Sequence, residues 1–158
     1  MSETPHKIVW TEEKIKRYWD FRGTNPELQY RYFSRQVGPS LVKFVKNIVS
    51  LEGIVVDLGC GSGGLIDCLI QNNIQCKGVD ISVKTVSALN DRLRDNPLFL
   101  GVECYSDATL PFGDNSVDVI FFVEVREHLL KNKINQTLRE IIRVLKPQGV
   151  VVVTTPNN

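Results

Sequence analysis

The glycine-rich turn at residues 59–64 constrains the fold of this chain more than any other stretch. It follows Ile54–Leu58, which is β-branched and apolar except for Asp57. The glycines of the turn allow a sharp change of direction and a close approach to a ligand, because they carry no Cβ atom. A helix that begins near Ser62 would point its unpaired N–H groups at that ligand. The stretch therefore predicts a buried strand, a ligand-binding turn and a helix.

Strands and helices alternate along the rest of the chain. Further strands are predicted at 75–81, 99–106, 117–123 and 150–155. They are apolar along their whole length, which is typical of a parallel sheet covered by helices on both faces. Right-handed crossovers favour a Rossmann-like, doubly wound α/β fold with strand order 3-2-1-4-5. A ligand is then expected at the carboxyl ends of strands 1 and 4.

The helices are predicted from apolar residues at helical spacing. Thr11 can cap a helix that runs to about residue 21, and amphipathic pieces follow at 27–36 and 39–49. A helix at 129–145 precedes the last strand. We assign residues 1–38 to an N-terminal helical lid or extension and 39–158 to the ligand-binding domain. The residues expected to face inward include Phe44, Ile48, Leu138 and Ile142.

Charge and cysteine content narrow the class of protein. The 158 residues carry a net charge of +1, which provides no general attraction to nucleic acid or to an anionic membrane. No apolar run approaches the roughly 20 residues of a membrane span, and no secretory leader is visible. The four cysteines show no CxxC spacing, so we interpret them as reduced thiols of a cytoplasmic protein.

The glycine turn is compatible with a dinucleotide or with another adenosine-containing ligand. Gly59, Gly61 and Gly64 satisfy the GxGxxG fingerprint of dinucleotide-binding folds, and Asp80 is placed to accept from a ribose diol. Asp57 argues against a dinucleotide, because dinucleotide-binding folds usually have an apolar residue or glycine at this position. A buried carboxylate is costly unless it is hydrogen-bonded, so Asp57 is expected to have a partner. It could orient the glycine turn or accept from an ammonium group. A purely structural role remains open for both aspartates.

Four motifs in order resemble the class I S-adenosylmethionine-dependent methyltransferases. The similarity covers about residues 40–155, and four motifs at ordinary spacing are far more specific than the glycine fingerprint alone. The motifs are Asp57-x-Gly59-x-Gly61-x-Gly63, Gly78-Val79-Asp80, Asp107-Ala108-x-Leu110-Pro111-Phe112 and Arg143-Val144-Leu145-Lys146-Pro147-x-Gly149.

The resemblance implies S-adenosyl-L-methionine as the cofactor and a role for each matching residue. The glycine loop would lie beside the methionine part, Asp80 would hold the ribose diol and Ile81 would lie against adenine. Asp107 would accept from the adenine amino group, near the Ala108 backbone. The full set of implied cofactor-binding residues is Asp57, Gly59, Cys60, Gly61, Gly63, Asp80, Ile81, Asp107, Ala108 and Glu124.

The run Glu124-Val125-Arg126-Glu127-His128 follows the fourth strand. Its two carboxylates and imidazole would share one face of a helix, where His128 is a candidate general base. The same groups could instead hold Mg²⁺ or only shape the pocket. The run resembles ubiquinone-pathway and related small-molecule O-methyltransferases. It also resembles small-RNA 2′-O-methyltransferases, whose metal site uses a later histidine that this chain lacks.

Three functions remain open on this basis. The leading one is a methyltransferase acting on a small molecule, at oxygen, with Glu124, Glu127 and His128 as catalytic residues. The alternatives are a metal-dependent RNA 2′-O-methyltransferase and a cofactor-binding module without turnover of its own. The family continues with strands 6 and 7, so we expect a C-terminally incomplete domain whose strand 5 edge is open to a second copy.

Overall fold

A computed structural model of the chain describes residues 8–29, 32–105 and 109–156. Its centre is a parallel sheet in the order β3-β2-β1-β4-β5, which confirms the predicted topology. The strands are β1 (Val55–Leu58), β2 (Cys76–Asp80), β3 (Phe99–Cys104), β4 (Val117–Val123) and β5 (Leu145–Thr154). The helices are α1 (Glu12–Gly23), α2 (Pro26–Gln29), α3 (Phe33–Lys46), α4 (Gly64–Gln71), α5 (Val83–Leu93) and α6 (Lys131–Val144), and a 3₁₀ turn spans Arg126–His128.

The sheet is covered on both faces. One core joins α3, α4 and α5 to the sheet, with Val45, Leu69 and Leu89 among its buried members. The other joins α6 to the opposite face through Ile141 and Val144. Because the central strands are buried on both sides, their continuous apolar sequence has a direct structural reason.

The N-terminal helices differ from the predicted pieces at 27–36 and 39–49. α2 is a single turn, and α3 passes through Pro39 and across the predicted 38/39 domain boundary. Proline removes one hydrogen bond from a helix interior, so packing must compensate. Gly38 supplies close packing against α4, because a Cβ atom there would lie 2.9 Å from Cys68 Sγ.

Several apolar side chains predicted to face inward are exposed. Phe44 and Ile48 are 62% and 66% exposed, and Ile142 is 72% exposed. Leu138 is also exposed, at 40%. The apolar stripes of α3 and α6 are wider than the faces that touch the sheet, since Val42, Val45, Ile141 and Val144 already fill those contacts.

The predicted turn at 147–149 lies inside a strand. Leu145 pairs with Val117 and Val150 pairs with Val119, so β5 inserts extra residues opposite β4 as a bulge. All four cysteines are free thiols. No described helix has the length and apolar character needed to cross a membrane.

Candidate active site

A cleft of about 330 Å³ opens at the carboxyl ends of β1, β2 and β4. Its walls combine the glycine turn, the ends of these strands, the segment after β4 and one side of α1. The predicted site residues that line it are Asp57, Gly59, Cys60, Gly61, Asp80, Ile81, Glu124, Glu127 and His128. The topological switch point between β1 and β4 is therefore where the site lies.

The glycine turn is held by backbone hydrogen bonds that need unusual dihedral angles. The Gly59 N–H donates to the Val79 carbonyl at 2.7 Å, and Gly59 has φ +79°. A Cβ atom at Gly59 would lie 2.5 Å from Val125 Cγ2. Gly63 instead faces Leu89 and Arg92 outside the cleft, so its requirement for glycine comes from its φ of +81° and from packing at the start of α4.

Asp80 connects the turn to α5. Its two carboxylate oxygens accept from the Gly61 N–H and the Ser82 N–H, each at 2.9 Å. The residue is 7% exposed. Burial raises the pKa of Asp80, and the two backbone donors act in the opposite direction. The carboxylate still has lone pairs for a diol, because each oxygen can accept more than one hydrogen bond.

Asp57 lies on β1 directly beneath the turn. It is 3% exposed. Burial, reinforced by the nearby Asp80, raises the pKa of Asp57 to about 8. Both carboxyl groups line the same cleft, where their oxygens can accept hydrogen bonds from hydroxyl or ammonium groups of a ligand.

The segment after β4 does not form the continuous helix face expected for Glu124, Glu127 and His128. Glu124 has φ +54° and its N–H donates to the Thr154 carbonyl at 3.2 Å, so it precedes the 3₁₀ turn. All three side chains nevertheless line the cleft. Burial, followed by repulsion from Glu127, raises the pKa of Glu124.

His128 packs against the N-terminal helix. The Trp19 ring meets its imidazole edge-on, with ring centres 4.9 Å apart. Burial and then the positive charge of Arg22 lower the pKa of His128, while Glu124 acts in the opposite direction. The imidazole is therefore neutral near pH 7 and able to accept a proton.

α1 is fixed over the cleft by specific contacts. The Ser82 hydroxyl donates to Asp20 Oδ1 at 2.6 Å. Ser82 also donates its N–H to Asp80, the residue that binds the glycine turn. Gly23 packs on Thr85, where a Cβ atom would lie 2.0 Å from the hydroxyl oxygen. These contacts explain why Trp19 reaches His128.

The lining residues that were absent from the predicted site include three with polar groups able to contact a ligand: Arg22, Tyr32 and Tyr105. Arg22 follows Trp19 by three positions on a helix, a spacing that places both on one face and could have indicated it. Tyr105 follows β3 directly. The position of Tyr32 depends on how α3 docks, for which no local sequence signal exists.

Some predicted residues lie outside the described part of the chain. They are Asp107 and Ala108. Within residues 8–29, 32–105 and 109–156, no group of three or more histidine, cysteine or carboxylate side chains is arranged to hold a metal ion. A second cavity of about 190 Å³ shares Ile81, Tyr105 and His128 with the cleft.

Comparison with known proteins identifies the same part of the chain. Residues 56–153 match the family described as methyltransferase domain. A ubiquinone biosynthesis O-methyltransferase of Stutzerimonas stutzeri is 26% identical over 160 residues, covering 99% of this chain and 66% of the relative. One of Bradyrhizobium diazoefficiens is 29% identical over 119 residues, covering 73% and 46%. The chain thus spans about half to two thirds of the length of these curated relatives.

Solved structures share the fold. Phosphoethanolamine N-methyltransferase 2 of Haemonchus contortus, in complex with S-adenosylhomocysteine, has a TM-score of 0.72 at 18% identity, covering 94% of this chain and 36% of that one. The cyclase SpnF has a TM-score of 0.73 at 24% identity, covering 94% and 62%. One fold therefore supports different reactions, and the reaction must be argued from the site.

Proposed function

This chain belongs to the class I S-adenosylmethionine-dependent methyltransferases, and we propose that it methylates an oxygen atom of a small-molecule acceptor in the cleft described above. One observation carries the proposal: two buried carboxyl groups, the glycine turn and a neutral imidazole line the same cleft. The relatives' name, O-methyltransferase, supports oxygen as the acceptor atom.

The lining residues fit the cofactor. Asp80 is placed to accept from the ribose diol, and Asp57 is placed to accept from the ammonium group of the methionine part. Gly59 and Gly61 leave room for that part along the turn, and Ile81 offers an apolar surface for adenine. Asp107 and Ala108 remain predictions for the adenine amino group.

Bound S-adenosylmethionine supplies a methyl group on a positively charged sulfur. The protein must align the acceptor oxygen with that methyl group and remove the hydroxyl proton. With the cofactor bound, its methyl group would pass to the acceptor oxygen and leave a neutral thioether, and His128 would accept the hydroxyl proton. Glu124 and Glu127 orient the imidazole and the acceptor. Trp19 and the rest of α1 act as a lid that limits water.

Two further assignments accompany this proposal. The four free thiols fit a reducing compartment, so we place the reaction in the cytoplasm. The division into an N-terminal lid at 1–38 and a binding domain at 39–158 stays a prediction, as does pairing of two copies through the edge of β5.

Calorimetry with S-adenosylhomocysteine and with NAD tests the ligand assignment. We expect binding of S-adenosylhomocysteine in the micromolar range and weak or no binding of NAD, because the negative charge of a pyrophosphate would face the Asp80 carboxylate. Tighter binding of NAD would contradict the proposed function.

Binding of S-adenosylhomocysteine is expected to release a proton near pH 7. Asp57 is protonated there because its pKa is about 8 in the ligand-free protein. A bound ammonium group favours the carboxylate, so affinity should increase by up to about tenfold per pH unit as the pH rises towards that pKa, and should level off above it.

Titration calorimetry in two buffers of different ionisation enthalpy measures this proton directly. Asp57→Asn is the matched variant, because it keeps the shape and cannot ionise. Equal proton release by the variant and the wild type would show that Asp57 is not the group that titrates.

A further inference from the structure

The His128 side chain depends on few contacts for its orientation. Its backbone is fixed in the 3₁₀ turn, where the His128 N–H donates to the Val125 carbonyl at 3.0 Å. The residue is exposed where it lines the cleft. Rotation of an imidazole about its Cβ–Cγ bond has a broad energy minimum, so a neighbouring group must fix the plane of the ring. A base that accepts a proton from one direction needs such a neighbour.

A neighbour of this kind is the Trp19 ring. Its centre lies 4.9 Å from that of the His128 imidazole, and the two planes meet at 70°. Edge-to-face packing at this distance is an arrangement that aromatic pairs prefer. The charges of Arg22 and Glu124 also act on the imidazole. A charge changes the protonation of the ring but has little preference for its plane, whereas a packed ring restricts the plane.

Trp19 is itself held from several sides. It is half-buried, and its ring centre lies 5.1 Å from that of Tyr18 and 6.3 Å from that of Tyr32. The next residue, Asp20, accepts from the Ser82 hydroxyl at 2.6 Å and so ties this part of α1 to the start of α5. The ring is therefore in place before a ligand enters the cleft.

We propose that Trp19 is a positioning residue for His128, whose imidazole it holds in the plane in which the base accepts the hydroxyl proton of the acceptor. The inference rests on the proposed function, in which His128 is that base. It goes beyond the part that Trp19 plays in the lid. A lid limits water for any base, whereas a positioning residue matters only through the group that it holds.

Nuclear magnetic resonance tests the contact without any reaction. The sequence contains two histidines, His6 and His128, so the imidazole signals are assigned by their loss in His128→Gln. At about pH 8, where an ordinary imidazole is neutral, the Trp19 ring should shift the His128 ring protons away from the values of a solvated histidine. We expect Trp19→Leu to remove this shift and Trp19→Phe to retain part of it. Unchanged signals in Trp19→Leu would overturn the inference.

A double-mutant cycle separates positioning from the lid. With catechol as acceptor and saturating S-adenosylmethionine, Trp19→Leu should lower kcat by about 10²-fold with little change in KM, the effect of a small misplacement of a catalytic group. In the His128→Gln background the same substitution should change kcat by less than about twofold. An equal loss in both backgrounds would show that Trp19 acts only through the lid and would contradict the proposal.

Two controls guard against a change of fold. Trp10→Leu removes a tryptophan that is 47% exposed and packs on Tyr18, and it should keep the wild-type kcat. Trp19→Leu should bind S-adenosylhomocysteine like the wild type. A loss of this affinity together with a lower unfolding temperature would assign Trp19 a structural role and contradict the proposal. Failure of the wild type to bind S-adenosylhomocysteine would instead overturn the proposed function, whereas the resonance measurement would still report on the Trp19 contact.

Discussion

Asp80→Ala is expected to weaken the binding of S-adenosylhomocysteine by about 1–3 kcal/mol, the usual cost of leaving buried polar partners unpaired. Two effects add in the same direction. The variant loses the proposed acceptor for the ribose diol, and it leaves the Gly61 and Ser82 N–H groups without the carboxylate that holds them. Titration calorimetry on the purified chain measures the change.

Two further variants separate binding from folding. Asp80→Asn keeps the shape but cannot accept all of the same hydrogen bonds, so it should lie between the wild type and the alanine variant. Asp91→Ala on the exposed side of α5 removes a carboxylate that forms an ion pair with Arg94 and should leave binding unchanged. An Asp80→Ala variant with unaltered affinity would remove Asp80 from the proposed site.

His128→Gln is expected to lower kcat/KM by about 10²- to 10⁴-fold, the usual contribution of a positioned general base. The measurement uses a phenolic acceptor and follows the formation of S-adenosylhomocysteine. Affinity for S-adenosylhomocysteine should change little, because the imidazole lies at the acceptor end of the proposed site. Activity near that of the wild type would contradict the role of His128.

The pH dependence of kcat/KM is expected to follow the protonation of His128. Burial and Arg22 lower the pKa of His128 beneath the ordinary 6.5, so the base is already neutral at pH 7. At saturating S-adenosylmethionine, the wild-type kcat/KM for the acceptor should therefore be level above neutrality and fall as pH drops through the lowered pKa, with a slope of one on logarithmic axes. The glutamine variant should lack this acid limb, and an identical limb in both proteins would assign it to another group.

Chelation distinguishes the base from the Mg²⁺ alternative for the same residues. A reaction that relies on the imidazole alone should proceed at the same rate after treatment with EDTA. Loss of activity with EDTA and recovery with Mg²⁺ would instead favour a metal site built from Glu124, Glu127 and His128.

Local sequence patterns were sufficient to predict the sheet and the part of the cleft formed by the glycine turn. The apolar strand, the glycine turn and Asp57 lie within a few residues, so their geometry follows from backbone sterics and burial. Asp80 was found for a related reason, since it ends the next strand and parallel strands end at the same edge. Gly63 was predicted to belong to the binding loop. In the structure, a Cβ atom on Gly63 would point at Leu89 and Arg92 and away from the cleft.

Helix faces were harder to predict. Phe44 and Ile142 have the spacing of core residues but are exposed, because spacing defines an apolar stripe without stating how much of it touches the sheet. The path of α3 through Pro39 likewise depends on Gly38 packing against α4. In both cases a tertiary contact outweighed a local preference.

The sequence by itself determined the strand order, the glycine turn and the carboxylates beside it, because these depend on neighbouring residues and on the handedness of crossovers. Only the tertiary structure decided which side chains from the N-terminal helices and from the segment after β4 complete the cleft. Arg22, Tyr32 and His128 lie far apart in the chain, and they meet because Asp20, Gly23 and Gly38 allow α1 and α3 to pack closely on α5 and α4.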